Sequence, residues 1–111
     1  MLSRATVAST CKVCEMSIKD IPAVVSIENK SFSTPWSATA LKNELKKAFS
    51  LCYVAKVENN IIGYAIAWRV ANEMQIANLE VDPRFRRLGI EQRLINALIT
   101  QVIKEKVDAV H

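Results

Sequence analysis

The segment Val81–Ile99 constrains the fold most, because it joins the end of an apolar strand to an amphipathic helix through an arginine-rich turn. A helix that begins directly after such a turn presents unpaired backbone N–H groups and the positive end of its dipole. Gly89 is one of only two glycines in the chain, and the absence of a Cβ lets a backbone approach a bound oxyanion closely. Arg84, Arg86 and Arg87 add positive charge beside it. The segment therefore predicts an anion-binding turn between a strand and a helix.

Apolar residues at helical spacing predict three helices and a short strand before them. The strand covers Cys11–Ser17. The first helix runs from Asp20, as its N-cap, to Ser31, and the second is capped by Ser37 and runs to about Ala48. The third helix follows the arginine-rich turn and ends at about Lys106, with one apolar stripe along its length.

Alternating apolar residues predict the remaining strands. Leu51–Val57 and Ile61–Val70 are expected to form a hairpin, joined by Asn59–Asn60, because asparagine tolerates the positive φ of a tight turn. Glu73–Val81 is the next strand. Val107–His111 is expected to begin a further strand that lies parallel to Glu73–Val81, by the strand, helix, strand crossover rule.

The two faces of these strands differ in side-chain size and polarity. In the second hairpin strand the small residues share one face, so that a helix can lie close on it: Gly63, Ala65 and Ala67. The opposite face carries large residues: Ile62, Tyr64, Ile66, Trp68 and Val70. In Glu73–Val81 one face is expected to carry Ala77, Leu79 and Val81, and the other Ile76, Asn78 and Glu80.

Length and charge limit the classes of function. With 111 residues and 50% hydrophobic content, the chain can form one domain with a modest core. Residues 1–10 are expected to be a flexible extension and residues 11–111 the domain. The net charge of +4, from 15 basic and 11 acidic residues, is too small to indicate nucleic-acid binding. No apolar run approaches the roughly 18 residues of a membrane span, so we expect a cytoplasmic protein with no membrane partner.

The three cysteines are Cys11, Cys14 and Cys52, and an odd number cannot pair completely within one chain. This number fits a reducing compartment. The Cys11-Lys12-Val13-Cys14 spacing lacks a second pair of zinc ligands, and it does not open a helix as a redox motif would. We expect ordinary thiols and no metal site.

Three stretches resemble the GNAT N-acetyltransferases. The sequence RRLGIE, residues 86–91, is similar to that family's acyl-CoA loop, Gln/Arg-x-x-Gly-x-Gly/Ala, except that Glu91 replaces the last glycine or alanine. The sequence NLEVDP, residues 78–83, resembles the family's fourth strand. Ile27-Glu28, Phe32 and Pro35-Trp36-Ser37 resemble the first-helix region of the RimI type, the ribosomal-protein-alanine N-acetyltransferases. The similarity runs from about Cys11 to the end of the chain.

The resemblance implies a mixed α/β, GNAT-like acyl-CoA N-acyltransferase fold that is incomplete after the start of the fifth strand. Acetyl-CoA would be the co-substrate, with no metal. Its pantetheine arm would pair with the fourth strand, and its pyrophosphate would bind the amides of the turn. The implied cofactor-binding residues are Leu79, Glu80, Val81, Arg86, Arg87, Leu88, Gly89, Ile90, Glu91 and Gln92.

The acceptor site implied by the resemblance includes Glu28 and Trp36. Glu28 has an equally weighted alternative, in which it only caps or solvates its helix, and Trp36 is more typical of a core residue. The family's proposed base and acid are a glutamate on the fifth strand and a tyrosine beyond it, and both would lie after His111, so no catalytic residue is assigned. Glu80 is the one internal carboxylate near the expected site, and a solvated or arginine-paired role is more typical of it.

The implied activity is transfer of an acetyl group to the α-amine of a protein, such as a ribosomal protein. The alternative is a catalytically inactive acyl-CoA-binding or protein-interaction remnant of such an enzyme, and a small nucleic-acid-binding domain is a distant third. Without the remainder of the fifth strand, the edge of Glu73–Val81 and part of the last helix would be uncovered. Self-association is therefore expected.

Overall fold

The computed structural model describes residues 3–109, and the side chains of residues 3–106. The four helices are α1 (Arg4–Thr10), α2 (Ile21–Ser31), α3 (Ala38–Leu45) and α4 (Ile90–Ala109). The four strands are β1 (Lys12–Glu15), β2 (Ser50–Val57), β3 (Asn60–Val70) and β4 (Glu73–Val81). Two 3₁₀ turns, Ile18–Asp20 and Pro83–Phe85, precede α2 and α4. No helix in this part of the chain is long and apolar enough to cross a membrane.

The strands form one antiparallel sheet in the order β1-β2-β3-β4, with helices on both faces. On one face α4 buries Leu94 and Leu98 against the small residues of β3. On the opposite face α2 and α3 bury Ile27 and Leu41 against Tyr64. The expected mixed α/β architecture, with a helix on the small-residue face of β3, is confirmed.

The first residues form a helix where a flexible extension was expected. Ser3 caps α1, because its hydroxyl accepts a hydrogen bond from the Thr6 backbone N–H at 3.1 Å. Val7 is fully buried in the apolar cluster under α4. One well-placed cap and one buried valine are too weak a signal to read from a seven-residue segment. Met1 and Leu2 lie outside the described residues.

The helix α2 has the expected bounds, but its side-chain cap, the end of α3 and the hairpin turn differ from expectation. Asp20 occupies the N-cap position of α2, but its carboxylate accepts hydrogen bonds from the backbone and hydroxyl of Ser17, at 2.9 and 3.1 Å. Ser37 caps α3 as expected, although the helix ends at Leu45. In the β2–β3 hairpin the left-handed residue is Glu58, with φ of 57°, and neither of the two expected asparagines has a positive φ.

Two β-bulges change which residues share a face of the sheet. Val54 and Ala55 of β2 pair with the consecutive residues Tyr64 and Gly63 of β3. Lys56 pairs with Ile61, so Ile62 is the extra residue. Ile62 therefore packs in the cluster under α4, and not beside Tyr64 as expected. In β4 the extra residue is Ala77, which packs on the α2 side. Ile76 pairs with Ala67, so it lies on the face opposite Asn78 and not with it as expected. Simple alternation, which assumes a period of two, was wrong at both places.

The chain continues as helix where a fifth strand was expected to begin. α4 extends through Ala109, so the expected strand is wrong over residues 107–109. Each residue added to an existing helix gains a hydrogen bond within the segment, whereas a strand needs a partner. Val110 and His111 lie outside the described residues.

Three buried carboxylates predict a loss of stability in acid. Asp20, Glu44 and Asp82 are 6%, 3% and 4% exposed. Burial raises the pKa of each carboxyl, but hydrogen bonds and neighbouring cations outweigh burial and hold each pKa below its ordinary value. A carboxyl whose pKa is lower in the folded than in the unfolded protein stabilises the fold at pH values above its unfolded-state pKa. This stabilisation is lost as the pH falls through the folded-state pKa. We therefore expect the melting temperature to fall steadily below about pH 4. Calorimetric melting across pH tests this expectation, and Asp82→Asn should flatten the dependence whereas Glu15→Gln, at an exposed position, should not.

The free edge of β4 predicts self-association. β4 is the last strand of the sheet in the described residues, and its Ile76 is 45% exposed. Ile99 and Ile103 of α4, which packs on β4, are 42% and 56% exposed. Pairing of two such edges would cover both the unpaired backbone and the apolar side chains. Sedimentation should show a dimer or larger species, and Ile103→Lys should reduce it while Ile18→Lys, on a remote exposed isoleucine, should not. A compact wild-type monomer at high concentration would contradict the expectation.

Candidate functional site

The connection from β4 to α4 is held in one conformation by its own side chains and backbone. The Asp82 carboxylate accepts a hydrogen bond from the Arg84 backbone at 2.9 Å, which starts the 3₁₀ turn, and Phe85 is buried below it. Arg87 and Gly89 then take left-handed conformations, with φ of 64° and 79°. A Cβ on Gly89 would meet no atom within 4 Å. Glycine is therefore favoured by the backbone angle, and open space lies in front of it.

The start of α4 borders an open cavity of about 380 Å³. The first intrahelical hydrogen bond runs from the Arg93 N–H to the Gly89 carbonyl at 3.1 Å. The amides that precede Arg93 therefore have no acceptor within the helix, and they lie at the positive end of its dipole. The cavity is lined by Val81, Phe85, Arg86, Arg87, Gly89, Ile90, Glu91, Gln92 and Ile95.

Most residues that the resemblance implied for a cofactor site are brought together here. Leu88 is the exception within the turn, because its side chain packs into the cluster under α4. Leu79 and Glu80 lie on β4 just before the cavity. Phe85 and Ile95 line it and were not expected. Ile95 follows Glu91 by one helical turn, so helical spacing alone could have identified it.

The arginines of the turn have different partners. Arg84 donates to the Asp82 carboxylate from Nε and Nη2, at 3.2 and 3.1 Å, and it is not among the residues that line the cavity. Arg86 donates from Nη2 to Glu80 Oε1 at 3.1 Å. Arg87 makes no hydrogen bond or ion pair with the described side chains. The cavity therefore has one arginine whose charge is not already balanced.

The outer edge of β4 has its N–H groups covered by side chains of the same strand. The Asp82 N–H donates to the Ile62 carbonyl on β3 at 2.7 Å. Since successive N–H groups of a strand point to opposite sides, those of Val81 and Leu79 point away from β3. They donate instead to Glu80 Oε1 and Asn78 Oδ1, each at 3.1 Å. Small side-chain movements would free two donors beside the cavity.

A buried carboxylate joins α2 to the sheet on the opposite face. Glu28 is 1% exposed, and its Oε2 accepts the Trp36 backbone N–H at 2.8 Å. Its Oε1 accepts hydrogen bonds from the Tyr64 hydroxyl and from Asn78 Nδ2, the latter at 2.5 Å. Burial, together with the bond to Glu28, raises the pKa of Tyr64 well above its ordinary value.

Glu28 therefore neither solvates nor caps its helix, because all three donors lie outside α2. Trp36 is half-buried, and its ring packs at the border of the apolar cluster of α2. Tyr64 and Asn78 were not expected in this group. The polar Asn78 within a central strand was the available signal, but its partner Glu28 is 50 residues away in the sequence.

The cysteines do not form a common site. Cys11 and Cys52 are buried, Cys14 is exposed, and all three are free thiols. Burial raises the pKa of Cys11 and of Cys52, which disfavours their thiolate forms. Within the described residues no three histidine, cysteine, aspartate or glutamate side chains come together as metal ligands would.

The chain is similar in sequence to known N-acetyltransferases. It is 35% identical over 85 residues to a [ribosomal protein bS18]-alanine N-acetyltransferase of Haemophilus ducreyi, covering 76% of this chain and 57% of that protein. A putative enzyme of the same name from Bacillus subtilis is 28% identical over 95 residues, covering 85% of this chain and 62% of that protein. The chain thus spans about three fifths of the length of these relatives.

Solved structures agree on the fold. The ribosomal-protein-S18-alanine N-acetyltransferase of Escherichia coli superposes with a TM-score of 0.76 at 24% identity, covering 86% of this chain and 61% of that one. The PaiA N-acetyltransferase of Thermoplasma acidophilum, in complex with coenzyme A, superposes with a TM-score of 0.77 at 16% identity. The match covers 86% of this chain and 74% of that one. The model of the acetyltransferase (GNAT) family matches residues 21–111, which include α2 to α4 and the whole candidate site. The chain therefore belongs to the GNAT acetyltransferase family.

Proposed function

We propose that this chain binds acetyl-CoA and transfers its acetyl group to the α-amine of a protein, such as a ribosomal protein whose chain begins with alanine. The proposal rests on the open cavity at the start of α4, which reaches Val81 of β4, and on the outward N–H groups of Val81 and Leu79 on the same strand. The names of the relatives support the choice of acceptor. A cytoplasmic location remains a prediction.

The pyrophosphate would bind at the start of α4. The free amides of Ile90, Glu91 and Gln92 and the helix dipole favour an anion there, and Arg87 supplies a positive charge with no competing partner. Arg86 can join only by leaving Glu80. We therefore expect Arg87 to contribute most to the charge-dependent part of binding.

The pantetheine arm would extend along β4 as an added strand does. Its amide groups would replace the side-chain oxygens that now accept from Leu79 and Val81. The exchange substitutes one hydrogen bond for another at each position, so its net cost is small. The arm would end beside Asn78, which contacts the Glu28 carboxylate.

The acceptor peptide would approach on the side of Glu28 and Trp36. Glu28 fixes the segment before α3 through the Trp36 backbone and fixes Asn78 beside the pantetheine edge. In the reaction the amine nitrogen bonds to the acetyl carbon, the carbon–sulfur bond breaks, and coenzyme A leaves as the thiol. An α-amine has a pKa of about 7.7 to 8.0, so a modest base suffices to take its proton.

A second candidate function is acyl-CoA binding without turnover. Among the described side chains that line the cavity, the one carboxylate is Glu91, which lies at the anion end. Glu80, nearer the thioester end, is held by Arg86 and by the Val81 N–H. Neither is placed as a free base, and this observation favours the second candidate.

Turnover separates the two candidates. Incubation of the chain with acetyl-CoA and a peptide beginning with alanine should yield, by mass spectrometry, a peptide that has gained one acetyl group at its α-amine. The same peptide with a blocked α-amine is the matched control and should stay unchanged. Saturable acetyl-CoA binding without product would reject transfer and leave the binding function.

Calorimetric titration with coenzyme A tests the anion site itself. A carboxylate within about 4 Å of a phosphate charge costs on the order of 4 kcal/mol at an effective dielectric of 20, more than the roughly 0.3 to 1 kcal/mol that a glutamate gains at a helix N-terminus. Glu91→Ala should therefore tighten binding, and Arg87→Ala should weaken it, with the loss shrinking at high salt. Glu15→Ala and Lys19→Ala are exposed controls with the same changes of charge. If Glu91→Ala binds no better and Arg87→Ala binds equally well, the phosphates do not bind at this turn.

A further inference from the structure

The N-terminal helix α1 lies before the part of the chain that matches the family. The family match begins at residue 21, whereas α1 covers Arg4–Thr10. The helix is short, yet both of its ends contact the segment that forms the anion cavity. A helix that is bonded at two points to this segment can affect the conformation of the turn.

The first end of α1 is bonded to the backbone of the turn. Arg4 donates from Nη1 to the Arg84 carbonyl at 3.0 Å and from Nη2 to the Arg86 carbonyl at 2.9 Å. A guanidinium is a rigid planar fork, so it fixes the spacing of the two carbonyls that it joins. The second carbonyl directly precedes Arg87, whose φ of 64° is strained for a residue with a side chain.

The second end of α1 is bonded to α4. Arg93 donates from Nη1 to the Ala8 carbonyl at 3.3 Å and from Nη2 to the Cys11 carbonyl at 2.5 Å. A cation at the end of a helix also interacts favourably with the helix dipole. Arg93 closes the first turn of α4 through its own N–H. Between the two ends, Val7 is fully buried in the same cluster as Phe85 and Ile90.

We propose that α1 is a brace that holds the anion turn in its binding conformation, with Arg4 as the positioning residue. Arg4 bonds only to protein carbonyls among its described contacts, so it acts on the shape of the turn and not on the anion. The role in coenzyme A binding rests on the proposed function. The effect of Arg4 on the conformation of the turn without ligand does not depend on that proposed function.

Two measurements on Arg4→Ala test the brace. Amide hydrogen exchange without ligand should become faster in residues 84–90, because the two carbonyls lose their common donor. Coenzyme A should bind about five- to tenfold more weakly by calorimetry, the loss expected for one hydrogen bond of typical net strength. The dependence of affinity on salt should equal that of the wild type, whereas Arg87→Ala should reduce it.

Controls separate the brace from other roles of Arg4. Arg4→Lys keeps the charge and can reach one carbonyl, so it should give intermediate exchange and affinity. Lys19→Ala removes an exposed cation elsewhere and should change neither. Unchanged exchange in residues 84–90 of Arg4→Ala would overturn the proposal, and so would an affinity loss with a reduced salt dependence, since Arg4 would then contact the anion. If the wild type itself does not bind coenzyme A, the proposed function fails while the exchange data still decide the brace.

Discussion

The packing of α4 on the small-residue face of β3 fixes the position of everything in the candidate site. A Cβ on Gly63 would lie 3.1 Å from the Glu80 carbonyl and 3.3 Å from a methyl of Val81, so glycine lets β4 and α4 approach together. Leu94 and Leu98 are fully buried in this contact. Because α4 starts at the end of β4, their close approach places free helix amides beside the free strand edge. Each surface is common in proteins, and their adjacency makes an acyl-CoA site possible.

Charge pairing then decides which groups of the turn are available. Asp82 is buried, and Arg84 and Lys30 balance it, the latter at 3.6 Å. Arg86 is paired with Glu80. From composition alone the turn has three equivalent arginines, but two of them stabilise the strand end. The local excess of positive charge at the cavity is therefore smaller than the sequence indicates, and it is centred on Arg87.

The sequence predicted the local features well and the features that depend on pairing poorly. The bounds of β4, the Ser37 cap of α3 and the glycine of the turn follow from residues that are neighbours in the chain, so β4 was located to the residue. The bulges at Ile62 and Ala77 depend on the register with a neighbouring strand, which no single strand encodes. Two of the three partners of Glu28 are 36 and 50 residues away, and Arg4 contacts carbonyls 80 and 82 residues away. Contacts of this kind require the fold to be known first.

The bulge at Ala77 changes which residues of β4 share a face of the sheet. Met74, before the bulge, and Leu79, after it, both face the cluster under α4. In a regular strand a separation of five positions would place them on opposite faces. Asn78 is thereby free to face Glu28 on the other side. Because Ala77 is the extra residue, a chain that lacked it would close the bulge and keep Met74, Asn78 and Leu79 on their present faces. Natural variation in the length of β4 should therefore occur at this position.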